Sequence, residues 1–190
     1  MGRVRNSVKG YYWGRLITYF LACCLIFNTS LPLARAEVVL DGPPIRGTID
    51  VSALSGGTQT INATNRAIGH FSDFDIATGN VVNCIQDLDS YSALFRVTSG
   101  DRTEIFGQFN ANSNIYLINT AGILFARGSE INVNRLVASG LDMDNAVFDA
   151  VLDDPVNNKM EFTSGNGQVE NYGTIFGNSV YLVGDKIYNL

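Results

Sequence analysis

His70 is the only histidine among 190 residues. A Ser-His-Asp triad would have to use it, and no Gly-x-Ser-x-Gly elbow accompanies it. No second histidine and no cysteine stands near it at zinc-ligand spacing. It reads as a strand residue beside Phe71. Acid pairs recur at Asp73/Asp75, Asp87/Asp89, Asp142/Asp144 and Asp153/Asp154. Two carboxylates at such spacing could hold calcium or hydrolyse a glycoside. "LDMDN" (141–145) lacks the glycine and distal glutamate of an EF-hand loop, and solvated turns and strand faces account for such pairs. "SGGT" (55–58) and "SGNG" (164–167) are glycine-rich, but no helix pattern follows either, so they read as corners and not as phosphate cradles. Cys84 in "VVNCIQ" alternates inward with Val82 and reads as a small buried hydrophobe. The expectation is a protein with no enzymatic activity, no cofactor and no tightly bound metal.

The elements that would position these residues are short. From Glu37 onward the chain reads as strands of three to six residues, with no convincing amphipathic helix. "HFSDFDI" (70–76) sets Phe71, Asp73 and Asp75 against Ser72, Phe74 and Ile76 by alternation. Strand cores at 115–118, 122–126, 130–133 and 136–138 begin only six to eight residues apart. An antiparallel sandwich spaces its strands more widely. Three short strands per turn, repeating near 20 residues, describe an all-β parallel β-solenoid whose coils stack at about 4.8 Å. Two internal echoes support this: "NTAGILF" (119–125) with "NYGTIF" (171–176), and "NIYLI" (114–118) with "SVYLV" (179–183). Between Leu141 and Gly167 the pattern breaks, and the expectation is an extra-helical excursion, a hairpin or a loop, before the solenoid resumes at Val169. Asn119 and Gly122 are expected to form a tight corner. Glycine opens backbone conformations closed to other residues, and asparagine bonds the free N–H groups of a turn. Loss of one such bond would cost about 1 kcal/mol.

Charge is unevenly placed. All five charged residues of the first 36, Arg3, Arg5, Lys9, Arg15 and Arg35, are basic, so all 18 acidic residues lie beyond them. An acidic body argues against nucleic acid as a partner. Residues 1–36 read as an export signal: a basic start, the apolar run "LITYFLACCLIF", a breaker at Asn28–Pro32, and "LARA" ahead of a cleavage between Ala36 and Glu37. The apolar run is shorter than the roughly 20 residues that span a bilayer. Cys23 and Cys24 leave with this signal, so the mature domain (37–190) holds one cysteine and no intramolecular disulfide.

"NIYLINTAGILFARGSEINV" (114–133) resembles the core of the filamentous-haemagglutinin N-terminal domain, the secretion (TPS) domain of two-partner secretion exoproteins. That family carries a strand, then Asn-Pro-Asn-Gly-Ile, then F-x-x-x-A-x-I-N-V. Asn119, Gly122 and Ile123 match the first motif, with Thr120 and Ala121 in place of proline and asparagine. Phe125, Ile131, Asn132 and Val133 match the second, with Ser129 in place of alanine. "FSDFDIATGNVVNCIQ" is similar to an upstream family stretch, with Asp75 where the family has asparagine. "RVTSG" (96–100) is similar to its Asn-Arg-Val-Thr segment, and "VENYGTIFGNSVYLVGDKIYN" to the coil that closes the domain.

The resemblance implies a right-handed parallel β-helix with an N-terminal cap. It implies an adhesin-like exoprotein of a Gram-negative-type bacterium, brought to the periplasm by the general secretion machinery. There an outer-membrane β-barrel transporter with POTRA domains would read it, and it would nucleate β-helix folding outside, secreted or held at the cell surface. It further implies Asn114, Arg96, Thr98, Asn119, Gly122 and Ile123 as the recognition or turn positions. The family continues for hundreds of residues beyond the point where this chain stops, so a truncated product or fragment is expected. Any adhesion target, a host or surface glycan included, would be met by the C-terminal region. The alternatives are a secreted β-helix enzyme on carbohydrate and a carbohydrate-binding structural module.

Overall fold

The computed structural model describes residues 37–190, so the export-signal reading and the Cys23–Cys24 pair lie outside the described residues. The strands are β1 (Val38–Leu40), β2 (Ile49–Val51), β3 (Thr58–Ala63), β4 (Ala67–Phe74), β5 (Val81–Ile85), β6 (Ser92–Val97), β7 (Thr103–Ile105) and β8 (Gln108–Ala111). They continue through β9 (Asn114–Asn119), β10 (Ile123–Phe125), β11 (Glu130–Asn132) and β12 (Arg135–Ser139). After the helix α1 (Asn145–Asp153) come β13 (Val169–Asn171), β14 (Thr174–Phe176), β15 (Ser179–Val183) and β16 (Ile187–Asn189).

These strands form three sheets, and from β6 onward each coil contributes one strand to each. Sheet 1 has the order β1-β4-β6-β9-β12-β15, sheet 2 is β7-β10-β13-β16, and sheet 3 is β2-β3-β5-β8-β11-β14. Coil stacks on coil in parallel register: Ile115 sits against Ala93 and Leu136, and Phe109 against Val82 and Ile131. Gln108 and its register partner Glu130 are 22 residues apart, which is the length of one coil. The fold is a parallel β-helix. Residues at period 2 face the interior and bury Ile61, Phe95, Phe109, Leu117, Phe125, Ile131 and Leu136. Cys84 and Val82 are both inside this core, and burial pushes the Cys84 thiol up to about 12, which leaves it unreactive.

The upper end is closed by an antiparallel cap, with β1 on β4 and β2 on β3. Gln59 is 1% exposed and ties the cap together: its side chain bonds both main-chain groups of Val38 and the carbonyl of Ser52. Pairing with β1 extends β4 to eight residues, longer than the expected limit of six. It also corrects the alternation expected there. Val39 pairs with Asp73 while Leu40 pairs with Phe71, so Ser72 is a bulge residue. The extra residue turns Phe71 and Phe74 to the same side. Both are fully buried in an edge-to-face cluster with Phe95 and Phe109.

Two further expectations are corrected. The excursion holds the nine-residue helix α1 and is not a bare hairpin or loop. Phe148 and Val151 line its buried face, three residues apart, and Pro155 follows its end. The apolar positions are too few to stand out against the acids around them. Of the two echoes, "SVYLV" stacks in phase with "NIYLI", both on sheet 1. "NYGTIF" does not repeat "NTAGILF" in phase: Thr174–Phe176 pairs with Glu130–Asn132 on sheet 3, whereas Ile123–Phe125 lies on sheet 2. Their likeness is local. Asn171 accepts from the N–H of Gly173 much as Asn119 accepts from that of Ala121, so one turn chemistry serves two different corners.

Candidate functional site

The corner from Asn119 to Ile123 leads from sheet 1 to sheet 2. The N–H of Gly122 donates to the Asn119 carbonyl at 2.9 Å and closes the turn. The Asn119 side chain is 1% exposed and fully used. Its Oδ1 accepts from the N–H of Ala121 at 2.9 Å, and its Nδ2 donates to the Asp101 carbonyl at 2.9 Å and to Thr103 Oγ1 at 3.1 Å. One amide therefore shapes its own turn and fastens it to the coil above. Gly122 has φ of 120°, a region L side chains rarely adopt, and a Cβ there would meet the Gln168 carbonyl at 3.0 Å. Its carbonyl accepts from Thr103, and the next N–H, of Ile123, donates to Gln168. The Ile123 side chain enters the core. Thr120 and Ala121, which replace the family's proline and asparagine, are the exposed tip.

Beside the tip runs a groove of about 270 Å³ lined by Arg102, Ala121, Gly122, Ile123, Asn166, Gln168 and Glu170. Arg102 bridges Glu104 at 2.7 Å and Glu170 at 3.4 Å, and the Tyr172 hydroxyl donates to Glu170 at 3.1 Å. The groove thus has one cation held between two carboxylates, with Asn166 and Gln168 also in its lining.

The remaining expected positions do not converge on this corner. Thr98 follows Val97, the register partner of Asn119, so it stands at the same corner one coil above; its N–H and Oγ1 both reach the Phe71 carbonyl. Arg96 lies on the outer face of sheet 1. There it bonds Asp142 Oδ1 at 2.8 Å, the Met143 carbonyl at 2.6 Å and Asn145 Oδ1 at 3.2 Å, all in the excursion. Asn114 sits at the opposite end of β9, bonded to Ser90, Ser92 and Asn134.

Asn114 belongs to an arrangement that sequence reading missed. Asn178 donates to Asn134 at 2.7 Å and Asn134 to Asn114 at 2.9 Å, down one corner of the helix. Along sheet 3, Asn132 donates to Asn110 and Asn110 to Asn83. Each ladder holds its coils in register through side-chain amides. The signal was available: asparagines recur at spacings of 20 and 22 residues.

Of the acid pairs, Asp73/Asp75 ties main-chain amides of two neighbouring coils. Asp73 Oδ1 accepts from the N–H of Asp75, and Asp75 Oδ1 accepts from the N–H of Glu104 at 2.7 Å. Burial, with Asp73, Glu104 and Asp101 nearby, raises the Asp75 carboxyl to about 6 from 3.8. A folded pKa above the unfolded one favours the fold at acid pH, and that contribution is lost as pH rises through 6. Asp75→Asn keeps the acceptor oxygen and removes the charge. It is expected to stabilise the domain by about 1–2 kcal/mol at pH 7, after allowance for solvent screening. Denaturant melts should show that gain vanish as pH falls below the unfolded value of 3.8. Among the described residues, no group of three or more His, Cys, Asp or Glu side chains is placed to hold a metal.

The family profile described as "TPS secretion domain" matches residues 49–184. Two heme/hemopexin-binding proteins of Haemophilus influenzae are similar to the chain. One is 33% identical over 183 residues, covering 92% of this chain and 19% of its own length. The other is 30% identical over 99 residues, covering 52% of this chain and 11% of its own length. This chain therefore spans a fifth or less of the curated relatives it matches. The crystal structure of the HMW1 secretion domain from Haemophilus influenzae superposes with a TM-score of 0.69 at 28% identity, over 78% of this chain and 40% of that one. None of these names describes an enzyme. With a family match over most of its length, a parallel β-helix and a solved secretion domain of the same shape, the chain belongs to the TPS secretion domain family.

Proposed function

We propose that residues 37–190 are the secretion address of a longer adhesin-like exoprotein, and that they carry no catalysis. Residues 1–36 serve as its cleaved export signal. In the periplasm the address is read by an outer-membrane β-barrel transporter with POTRA domains, and its stacked coils then template the coils that follow. One observation supports the choice of recognition element: the tip Thr120–Ala121 is exposed, while Asn119 and Gly122 beneath it are buried and locked. An exposed tip on a rigid base is what a partner can bind without first ordering it.

Secretion through the cognate transporter, set beside denaturant melts of the purified domain, tests this. Asn119→Ala leaves the Asp101 carbonyl, Thr103 Oγ1 and the Ala121 N–H without this partner. It is expected to cost about 2–3 kcal/mol, more than a single lost hydrogen bond. Thr120 and Ala121 are solvent-facing, so bulky polar substitutions there should leave the melts unchanged and abolish secretion. Normal secretion by those tip variants would remove this corner from recognition.

A further inference from the structure

The excursion leaves and rejoins the β-helix at one point. The N–H of Gly167 donates to the Gly140 carbonyl at 3.1 Å; Gly140 itself donates to Val183, and Asp185 donates to Gly167. A Cβ on Gly140 would lie 2.2 Å from the Gly167 carbonyl oxygen, so only glycine lets the two ends meet. The coil runs on from β12 to β13 as if residues 141–166 were absent. Those residues fold back over the outer face of sheet 1. There Ile68, Leu94, Tyr116 and Val137 form one register row across four strands, joined by Ile118. Met143 and Phe148 close on them, with the Phe148 ring edge-on to Tyr116 at 5.0 Å. This apolar cluster is separate from the one inside the β-helix.

Ion pairs complete the contact. Arg46 meets Asp149 at 2.6 Å, Arg66 meets Asp153 at 2.6 Å, and Arg96 meets Asp142 at 2.8 Å. Every carboxylate is on the excursion and every guanidinium on the cap or the coil. The seat is nonetheless imperfect. Arg46 Nη2 and Asp149 Oδ1, the other two ends of one of these ion pairs, are buried without a hydrogen-bond partner in the protein. Buried polar atoms left in this state weaken the closed form, because they regain hydrogen bonds with solvent when the contact opens.

We propose that residues 141–166 are a hinged cover, which swings on the Gly140–Gly167 stem away from the outer face of sheet 1 while the β-helix stays folded. The three arginines are its latch, and opening bares the row Ile68, Leu94, Tyr116 and Val137, which crosses β9, the strand that leads into the corner. The inference does not depend on which partner reads the corner. Native-state hydrogen exchange on the whole domain tests it. The amides of Phe148 and Asp154, which donate to Asp144 and Ala150, report the cover, and those of β6 and β9 report the coil. The cover amides should exchange through an opening easier than global unfolding and with a smaller denaturant dependence. Raising salt should lower their protection and leave that of β6 and β9 unchanged. Arg96→Gln removes three bonds to the excursion and should lower cover protection by about tenfold or more. Exchange of cover and coil amides at one common free energy would overturn the proposal. So would an Arg96→Gln variant that loses protection equally in both.

Discussion

Phe109→Ala is expected to lower the free energy of unfolding by about 3–5 kcal/mol. Phe109 is fully buried on β8, with Val82 above it and Ile131 below on the same inward row. Its ring meets Phe74 edge-to-face at 5.6 Å, and Phe74 in turn touches Phe71 and Phe95. Stacked coils have little freedom to fill the hole, because the backbone ladders on either side fix their separation. The damage also spreads, since each coil is stabilised chiefly by its neighbours. Urea melts followed by circular dichroism would measure this, with the exposed Thr58→Ala as a control expected within about 0.5 kcal/mol of the parent. A loss below about 1.5 kcal/mol for Phe109→Ala would mean the aromatic cluster is not the keystone between cap and coils.

Gly107→Ala is expected to cost about 3 kcal/mol, for a reason unlike the usual one for glycine. Gly107 lies at the corner between β7 and β8, and its φ is not positive. A Cβ would instead fall 2.3 Å from the Asn80 carbonyl oxygen, 2.5 Å from that of Ala77 and 2.7 Å from Ile76 Cγ2. Both oxygens are main-chain atoms of the coil above, and Gly107 also donates to the Ile76 carbonyl. Nothing can move without breaking the ladder. Gly79 is the matching contrast: its φ is 81° and a Cβ would meet nothing within 4 Å. Gly79→Ala should cost about 1 kcal/mol from backbone strain alone. Paired melts of the two variants separate crowding from conformation, and equal losses would contradict the close approach at Gly107.

The period-2 alternation and the six-to-eight-residue spacing determined the β-helix from the sequence alone. A side chain's inward or outward direction is set by its immediate neighbours along a strand, so Val82 and Cys84 inside, and the four strands from Asn114 to Ser139, could be read directly. The corner at Asn119 and Gly122 was legible for the same reason, since turn chemistry is local. What stacks on what was not. Which coil a strand meets depends on register between segments about 22 residues apart. Hence "NYGTIF" looked like a repeat of "NTAGILF" but lies on another sheet. The bulge at Ser72 needed β1 as a partner, and a nine-residue helix drew its stability from sheet 1 and not from its own pattern. Arg46 and Asp149 are 103 residues apart, and no local rule brings them together. The seat of the excursion on sheet 1 and its ion pairs were decided by the tertiary structure, because they join the excursion to coil and cap residues 46 to 103 positions away, and such contacts exist only once the helix has wound.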